Sequence, residues 1–126
     1  MSLNNSGPDP EFETFMVRIY GIKNCDTMKK AFAWLDSHKV AYEFHDYKKD
    51  GVPPGKLAAW AKRAGWEKLA NMRGPTWRKI DKPSTLDERS ALKLLEQNSS
   101  AIRRPIVEAD NQLLIGFDPA EFENLA

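Results

Sequence analysis

Hydrophobic and polar residues change period along the chain, and these changes predict alternating strands and helices. Residues 16–21 alternate loosely and are rich in Val, Ile and Tyr, which is typical of a short buried strand. From Asp26 the apolar residues recur at i, i+3, i+4 and i+7, which predicts a helix to about His38 with Asp26 or Thr27 as its N-cap. Residues 40–47 predict a second strand. A βαβ unit implies parallel strands and a right-handed crossover, so the loop before the helix lies at the carboxyl edge of the sheet.

The middle of the chain is predicted to be helical. A polar turn at residues 48–54 precedes a second helical pattern that ends at Gly65, and residues 66–72 indicate a short helical piece. Residues 73–80 lose the periodicity and predict a loop that carries three cations and one Trp. This central helical region separates the βαβ unit from the strands at the end of the chain.

The end of the chain returns to strands. A helix is predicted to start at the capping-box pair of Thr85 and Glu88 and to end at about Gln97. Residues 104–107 and 112–115 predict a hairpin around a turn at 108–111. A short helix is predicted to start near Asp118. The order βαβ, helices, ββα predicts an α/β domain.

Residues 1–15 are polar and turn-rich and lack periodicity, which is typical of an expression-vector leader. We expect this leader to be disordered and residues 16–126 to form one domain, since 41% hydrophobic and 29% charged residues in a chain of 126 are ordinary values for a small globular protein. All 19 Lys and Arg lie after residue 15, whereas three of the 18 acidic residues lie in the leader, so the domain carries a net charge of +4. That charge suits a small anionic ligand and is too low to predict nucleic-acid binding.

The distribution of apolar residues bears on location. No apolar stretch approaches the ~20 residues that span a bilayer, and the N-terminus lacks the layout of a signal peptide. We therefore expect a cytoplasmic protein without a membrane partner. Its small size and ordinary surface composition favour a monomer.

Cys25 is the only cysteine of the chain, and it lies directly before the first predicted helix. Unpaired N–H groups and aligned peptide dipoles at a helix N-terminus favour an anion, so a thiolate should be stabilised there. The alternative is a buried structural thiol, which the polar neighbours Asn24 and Asp26 disfavour. A single cysteine excludes an internal disulfide and an all-cysteine metal site, and we expect no bound metal.

Three blocks of the sequence resemble the arsenate reductase (ArsC) and Spx superfamily, and in particular its YffB-like branch. The blocks are YGIKNCDT at 20–27, GPTWRK at 74–79 and IRRPIV at 102–107. The resemblance covers residues 16–126. It implies a thioredoxin-like fold of three α/β/α layers, with a mixed sheet and a helical insertion between the βαβ and ββα halves.

The resemblance also implies roles for individual residues. Cys25 matches the family's nucleophile, and Arg104 and Pro105 match an arginine followed by a cis proline, whose backbone edge can pair with an extended thiol substrate. Adjacent Arg103 leaves the register of this arginine open by one position. Arg73 matches a second arginine that arsenate reductases use to bind their oxyanion. Two other cations of the same loop, Arg78 and Lys79, could supply that charge instead.

Two positions depart from the patterns of the superfamily. A third oxyanion-binding arginine is expected near Gly116, where this chain has no cation, and this puts arsenate as the physiological substrate in doubt. Spx regulators commonly carry a Cys-x-x-Cys switch, but the second position here is Met28. An internal dithiol switch is therefore absent.

The leading hypothesis is a monothiol reductase. A Cys25 thiolate would form a covalent intermediate, and glutathione would be the co-substrate that resolves it, with no bound cofactor. Lys23, Arg73 and Arg104 would bind carboxylates or stabilise charge, while Asn24 hydrogen-bonds the sulfur or shapes the turn. A protein disulfide or glutaredoxin is a further potential partner. Two alternatives stay open: an Spx-like regulator that binds RNA polymerase, and a true arsenate reductase.

Overall fold

The computed structural model describes residues 16–125, so the predicted leader at 1–15 lies outside the described residues. The elements in chain order are β1 (Val17–Gly21), α1 (Asp26–Ser37), β2 (Tyr42–Asp46), α2 (Tyr47–Asp50), α3 (Pro54–Ala64), α4 (Trp66–Leu69), α5 (Pro75–Lys79), α6 (Glu88–Gln97), β3 (Ile106–Ala109), β4 (Gln112–Ile115) and α7 (Pro119–Phe122). Short 3-10 turns follow α6 and α7, at Ser99–Ala101 and Glu123–Leu125. Within residues 16–125, no helix has the length and apolar character needed to span a membrane.

The four strands form one mixed sheet in the order β2-β1-β3-β4. β1 pairs with β2 in parallel, whereas β3 is antiparallel to both β1 and β4. The parallel pair joined by α1 confirms the predicted βαβ unit, and the β3–β4 hairpin followed by α7 confirms the ββα unit. The predicted thioredoxin-like α/β fold is therefore confirmed.

Side chains of β1 alternate between the two faces of the sheet and so contribute to two separate cores. Val17 and Ile19 pack on one face with Met28 and Leu35 of α1. Tyr20 packs on the other face in a second cluster, which also contains apolar residues of α3 and α6. Because strand side chains point alternately to opposite faces, one strand holds both helical layers against the sheet. This produces the predicted three-layer arrangement.

The helical insertion is joined to the second half of the fold by backbone contacts. Ala70, just after α4, forms an antiparallel bridge with Ile102. The N–H of Arg103 donates to the carbonyl of Leu69 at 2.7 Å, and the N–H of Asn71 donates to the carbonyl of Ala101 at 2.8 Å. These bonds place the segment after α4 beside the residues that enter β3.

Two predicted helix starts were wrong. The N-cap of α1 is Cys25 itself, not Asp26 or Thr27, since the Cys25 carbonyl accepts the first helical hydrogen bond from Lys29 at 2.9 Å. The capping box of α6 is formed by Asp87 and Ser90 rather than by the predicted Thr85–Glu88 pair. Both pairs have the required spacing, so spacing alone could not choose between them.

Two other segments are more regular than predicted. Residues 75–79 form the one-turn helix α5 instead of a loop, with Pro75 at the first helical position, where its missing N–H costs nothing. β3 continues through Ala109, so the hairpin turn contains only Asp110 and Asn111. The positive φ of 56° at Asp110 permits this tight turn, which Asp tolerates better than most residues.

Candidate active site

Cys25 lies in the loop that joins β1 to α1, in extended conformation as the N-cap of the helix. The residue is partly buried and is a free thiol. Its side chain makes no capping hydrogen bond, so the N–H groups of the first turn are not neutralised by a side-chain acceptor at the N-cap. The thiol therefore lies where a negative charge would be stabilised by unpaired backbone donors.

The surroundings of Cys25 favour its thiolate form. Burial raises the pKa of the thiol, but the backbone N–H groups of Met28 and Thr27 lower it, and so does the Arg104 guanidinium. The lowering effects prevail, and the pKa of Cys25 lies below its ordinary value. A thiolate is the nucleophilic form of cysteine, so this electrostatic environment favours the reactive form of the Cys25 side chain.

Arg104 approaches Cys25 from the segment that enters β3. Its Nη1 donates to the Ser100 carbonyl at 3.1 Å, which holds the partly buried side chain in place. The Arg104–Pro105 peptide bond is cis, as the resemblance implied, and Pro105 is buried. The Pro105 carbonyl accepts from the N–H of Gly116 at 2.8 Å, which ties this segment to the end of β4.

Two small cavities flank the thiol. The first, of about 200 Å³, is lined mainly by the loop before Cys25 and by α5; its further lining residues are Ile22, Asn24, Gly74, Pro75, Thr76, Trp77 and Ser100. The second, of about 300 Å³, lies towards the end of the hairpin; its further lining residues are Thr27, Ile102, Arg103, Gly116 and Phe117. Cys25, Asn71 and Arg104 line both cavities. These three side chains form the centre of the site.

The structure brings together only some of the residues named from the sequence. Asn24 lines the first cavity, next to Cys25 and Arg104. Lys23 and Arg73 are exposed and are not among the residues that line either cavity. Any role for them in holding a substrate would have to be exerted from outside these cavities.

Sequence reasoning missed Asn71. An isolated Asn in a segment without periodicity carries no signal of chemistry, and its place in the site depends on the bond between its backbone and Ala101. The one available indication was its position three residues before the GPTWRK block.

The backbone edge before Pro105 is partly occupied by the chain itself. Ile102 and Arg103 pair with Ala70 and Leu69 of the insertion. The expected pairing of this edge with an extended substrate is thus restricted to the neighbourhood of Arg104. That residue is also the one whose side chain faces the thiol.

Solved structures resemble this one over most of the chain. The YffB protein (PA3664) matches with a TM-score of 0.83 and 45% sequence identity, covering 87% of this chain and 99% of that one. An arsenate reductase (ArsC) related protein from Brucella melitensis matches with a TM-score of 0.71 and 44% identity, covering 94% of this chain and 97% of that one.

Sequence relatives agree with this grouping. An uncharacterized protein of Haemophilus influenzae is 42% identical over 110 residues, which are 86% of this chain and 96% of that protein. The global transcriptional regulator Spx of Streptococcus mutans is 28% identical over 84% of this chain and 80% of its own length. A model of the ArsC family matches residues 20–125. The chain therefore belongs to the ArsC family.

Proposed function

We propose that the protein is a glutathione-dependent thiol reductase that uses Cys25 as its single nucleophile. One observation carries the proposal: a free thiol with a lowered pKa caps a helix beside a fixed arginine and between two cavities. Activated thiols of this kind, at helix N-termini and next to a cation, are the nucleophiles of thiol–disulfide exchange. Membership in the ArsC family and similarity to an arsenate reductase related protein support a reductase of this broad type.

The reaction has two exchange steps. The Cys25 thiolate attacks the glutathione sulfur of a mixed disulfide between glutathione and another thiol, which forms a Cys25–glutathione disulfide and releases the other thiolate. A second glutathione thiolate then attacks the bound glutathione sulfur, which releases oxidised glutathione and restores the Cys25 thiolate. The substrate disulfide is reduced and two glutathione molecules end as one disulfide. Each released thiolate takes its proton from water.

The chain's own residues contribute charge and position. The Arg104 guanidinium lowers the pKa of Cys25 and so makes it both a nucleophile at neutral pH and a good leaving group in the second step. Asn24 would bind the substrate from the first cavity. Lys23 and Arg73, exposed outside the cavities, would attract anionic glutathione without contacting its sulfur.

The absence of a second cysteine makes the proposal easy to test. After incubation with oxidised glutathione, mass spectrometry is expected to find one glutathione per chain, since Cys25 is the only thiol. The Cys25→Ser variant should show no adduct, and its rate of glutathione-dependent reduction of a mixed disulfide should fall at least ~100-fold. A parent protein that forms no adduct, or a Cys25→Ser variant with full activity, would contradict the proposal.

Reduction of arsenate is a less favoured reading of the same site. A multiply charged oxyanion requires several placed donors, preferably cationic. Arg104 is the one cation that lines both cavities, and Arg103 lines only the second. The second cavity is also lined by Gly116 and Phe117, which carry no charge, although a third oxyanion-binding arginine is expected near Gly116. We therefore expect turnover of arsenate to be much slower than that of glutathione disulfides in the same assay.

The second candidate function is that of an Spx-like regulator that binds RNA polymerase, and the 28% identity to an Spx protein favours it. Met28, which replaces the second cysteine of a switch, is fully buried against the sheet, so a regulatory role would have to work without an internal disulfide. Stoichiometric binding of purified RNA polymerase by both the parent and the Cys25→Ser variant would support this function. Lack of binding would leave the reductase proposal as the better one.

A further inference from the structure

We propose that the side-chain amide of Asn71 binds the peptide groups of a glutathione-like thiol while its sulfur reacts with Cys25. Asn71 would then be a substrate-binding residue that selects a peptide thiol over other disulfides. The inference rests on the proposed function and extends it, because it names the chemical class that the site distinguishes and the residue that does so.

Asn71 is placed for contact with anything bound at the thiol. It lines both cavities, as only Cys25 and Arg104 also do. Its side-chain amide makes no hydrogen bond to any other residue of the described range 16–125. Asn71 is only partly buried and lines both cavities, so its amide is open to them and available to a ligand.

The backbone around Asn71 is held on both sides. Its N–H donates to the Ala101 carbonyl at 2.8 Å, and its own carbonyl accepts from the N–H of Gly74 at 3.0 Å. These bonds join Asn71 to the segment that leads into Arg104 and to the start of α5. The side chain therefore projects from a fixed point and does not depend on a substrate for its position.

Gly74 leaves the space that the amide occupies. A Cβ atom at this position would lie 2.6 Å from Nδ2 and 3.0 Å from Cγ of Asn71, which is closer than non-bonded atoms approach. A larger residue at position 74 would consequently push the amide away from its present place. Gly74 therefore permits the present position of the Asn71 amide, which a Cβ at residue 74 would not.

The chemistry of the amide matches a peptide better than an oxyanion. A carboxamide offers two donors and a carbonyl acceptor without charge, which pairs with both the N–H and the C=O of a peptide group. Arg104 supplies the positive charge common to both cavities, which suits a single carboxylate of such a ligand. A disulfide that lacks peptide groups would gain nothing from Asn71.

The test compares two probes on the same thiol. Rates of Cys25 thiolation are measured with oxidised glutathione and with bis(2-hydroxyethyl) disulfide, which has no peptide group or carboxylate. In Asn71→Leu, which keeps the size but removes the hydrogen-bonding groups, we expect the rate with oxidised glutathione to fall about tenfold, as for the loss of one or two hydrogen bonds. The rate with the hydroxyethyl probe should stay within about twofold. Met72→Ala, an exposed neighbour outside both cavities, serves as the control and should change neither rate.

A second variant protects the test against a folding defect. Asn71→Asp keeps the shape and adds a negative charge, so it should slow oxidised glutathione, an anion, more than the neutral probe. Equal loss with both probes in the two variants would overturn the role of Asn71 while leaving the reductase proposal intact. A parent protein whose Cys25 reacts with neither probe would instead contradict the proposed function.

Discussion

Two regions of this molecule place an anionic group beside a cation, and they differ in how completely the group is paired. Glu108 on β3 accepts hydrogen bonds from Tyr20 Oη at 2.8 Å, from Trp60 Nε1 at 2.8 Å and from Lys56 Nζ at 3.0 and 3.2 Å. Burial raises the pKa of Glu108, but these donors, led by Trp60, prevail and the pKa lies below its ordinary value. The carboxylate is thereby satisfied by side chains of the fold itself.

Cys25 shares the lowered pKa but not the complete pairing. Its side chain has no capping bond, and the neighbouring Asn71 amide has no partner among residues 16–125. Closed pairing at Glu108 holds α3 to the sheet, since Lys56 and Trp60 belong to that helix. At Cys25 the N–H groups of Met28 and Thr27 and the Arg104 guanidinium stabilise a thiolate, whereas the Asn71 amide beside it has no partner within residues 16–125. Both groups have a lowered pKa, but only at Cys25 does a polar side chain without a partner in the described part of the chain lie beside the charged group, and this difference is why we propose a binding role there and a structural one at Glu108.

The largest expected effect is on stability, from Glu108→Leu. The substitution removes the acceptor shared by three partly or fully buried donors, so we expect the free energy of unfolding to fall by about 3 kcal/mol. Urea denaturation measures this loss. Glu43→Leu is the matched control, because Glu43 makes one exposed 3.6 Å ion pair with Arg18 and should cost less than about 0.5 kcal/mol. A change in the alkylation pKa of Cys25 in Glu108→Leu would break the separation of the two regions.

The next effect is on reactivity, from Arg104→Gln. Because Arg104 lowers the pKa of Cys25, its removal should raise that pKa and slow alkylation of the thiol at neutral pH by about tenfold. The pH profile of alkylation with iodoacetamide measures both. Arg103→Gln should leave the profile unchanged, which would also settle the register between the two arginines. If Arg103→Gln had the larger effect, Arg103 rather than Arg104 would be the residue that lowers the pKa of Cys25.

A smaller effect is expected for Gly74→Ala. The added Cβ would displace the Asn71 amide without touching Cys25. The preference for oxidised glutathione over bis(2-hydroxyethyl) disulfide should fall about threefold, a partial loss of one hydrogen bond. Gly55→Ala, where a Cβ meets no atom within 4 Å, is the control. Unchanged preference would show that the amide does not depend on the glycine.

The smallest effect concerns pH and stability. A carboxylate whose folded pKa lies below its unfolded value stabilises the fold at pH above the unfolded value, and this contribution disappears as pH falls through the folded value. The stability difference between the parent and Glu108→Gln should therefore be constant near neutral pH and shrink below about pH 4.5, the ordinary value for Glu. Urea midpoints at several pH values measure it. A difference that grows on acidification would refute the lowered pKa.

Much of the fold was predictable because its signals are local. The apolar spacing of α1, the Gly65 that ends α3 and the Asp118–Pro119 start of α7 are each read correctly from a few neighbouring residues. The errors lie where two local solutions compete. The N-cap of α1 had three adjacent polar candidates, and the capping box of α6 had two pairs with equal spacing, so the local sequence did not select one.

The sequence by itself determined that one cysteine stands at a helix start after a buried strand, and that it is the single cysteine of the chain. The resemblance of the IRRPIV block at 102–107 to the ArsC and Spx superfamily also pointed to Arg104 and Pro105 as its counterpart. Only the tertiary structure decided which other side chains meet the thiol. Asn71 lines both cavities beside the segment to which its backbone is bonded at Ala101, whereas Arg73, two residues later, is exposed outside them. Such bonds between distant segments depend on three-dimensional placement and leave no periodic trace in the sequence.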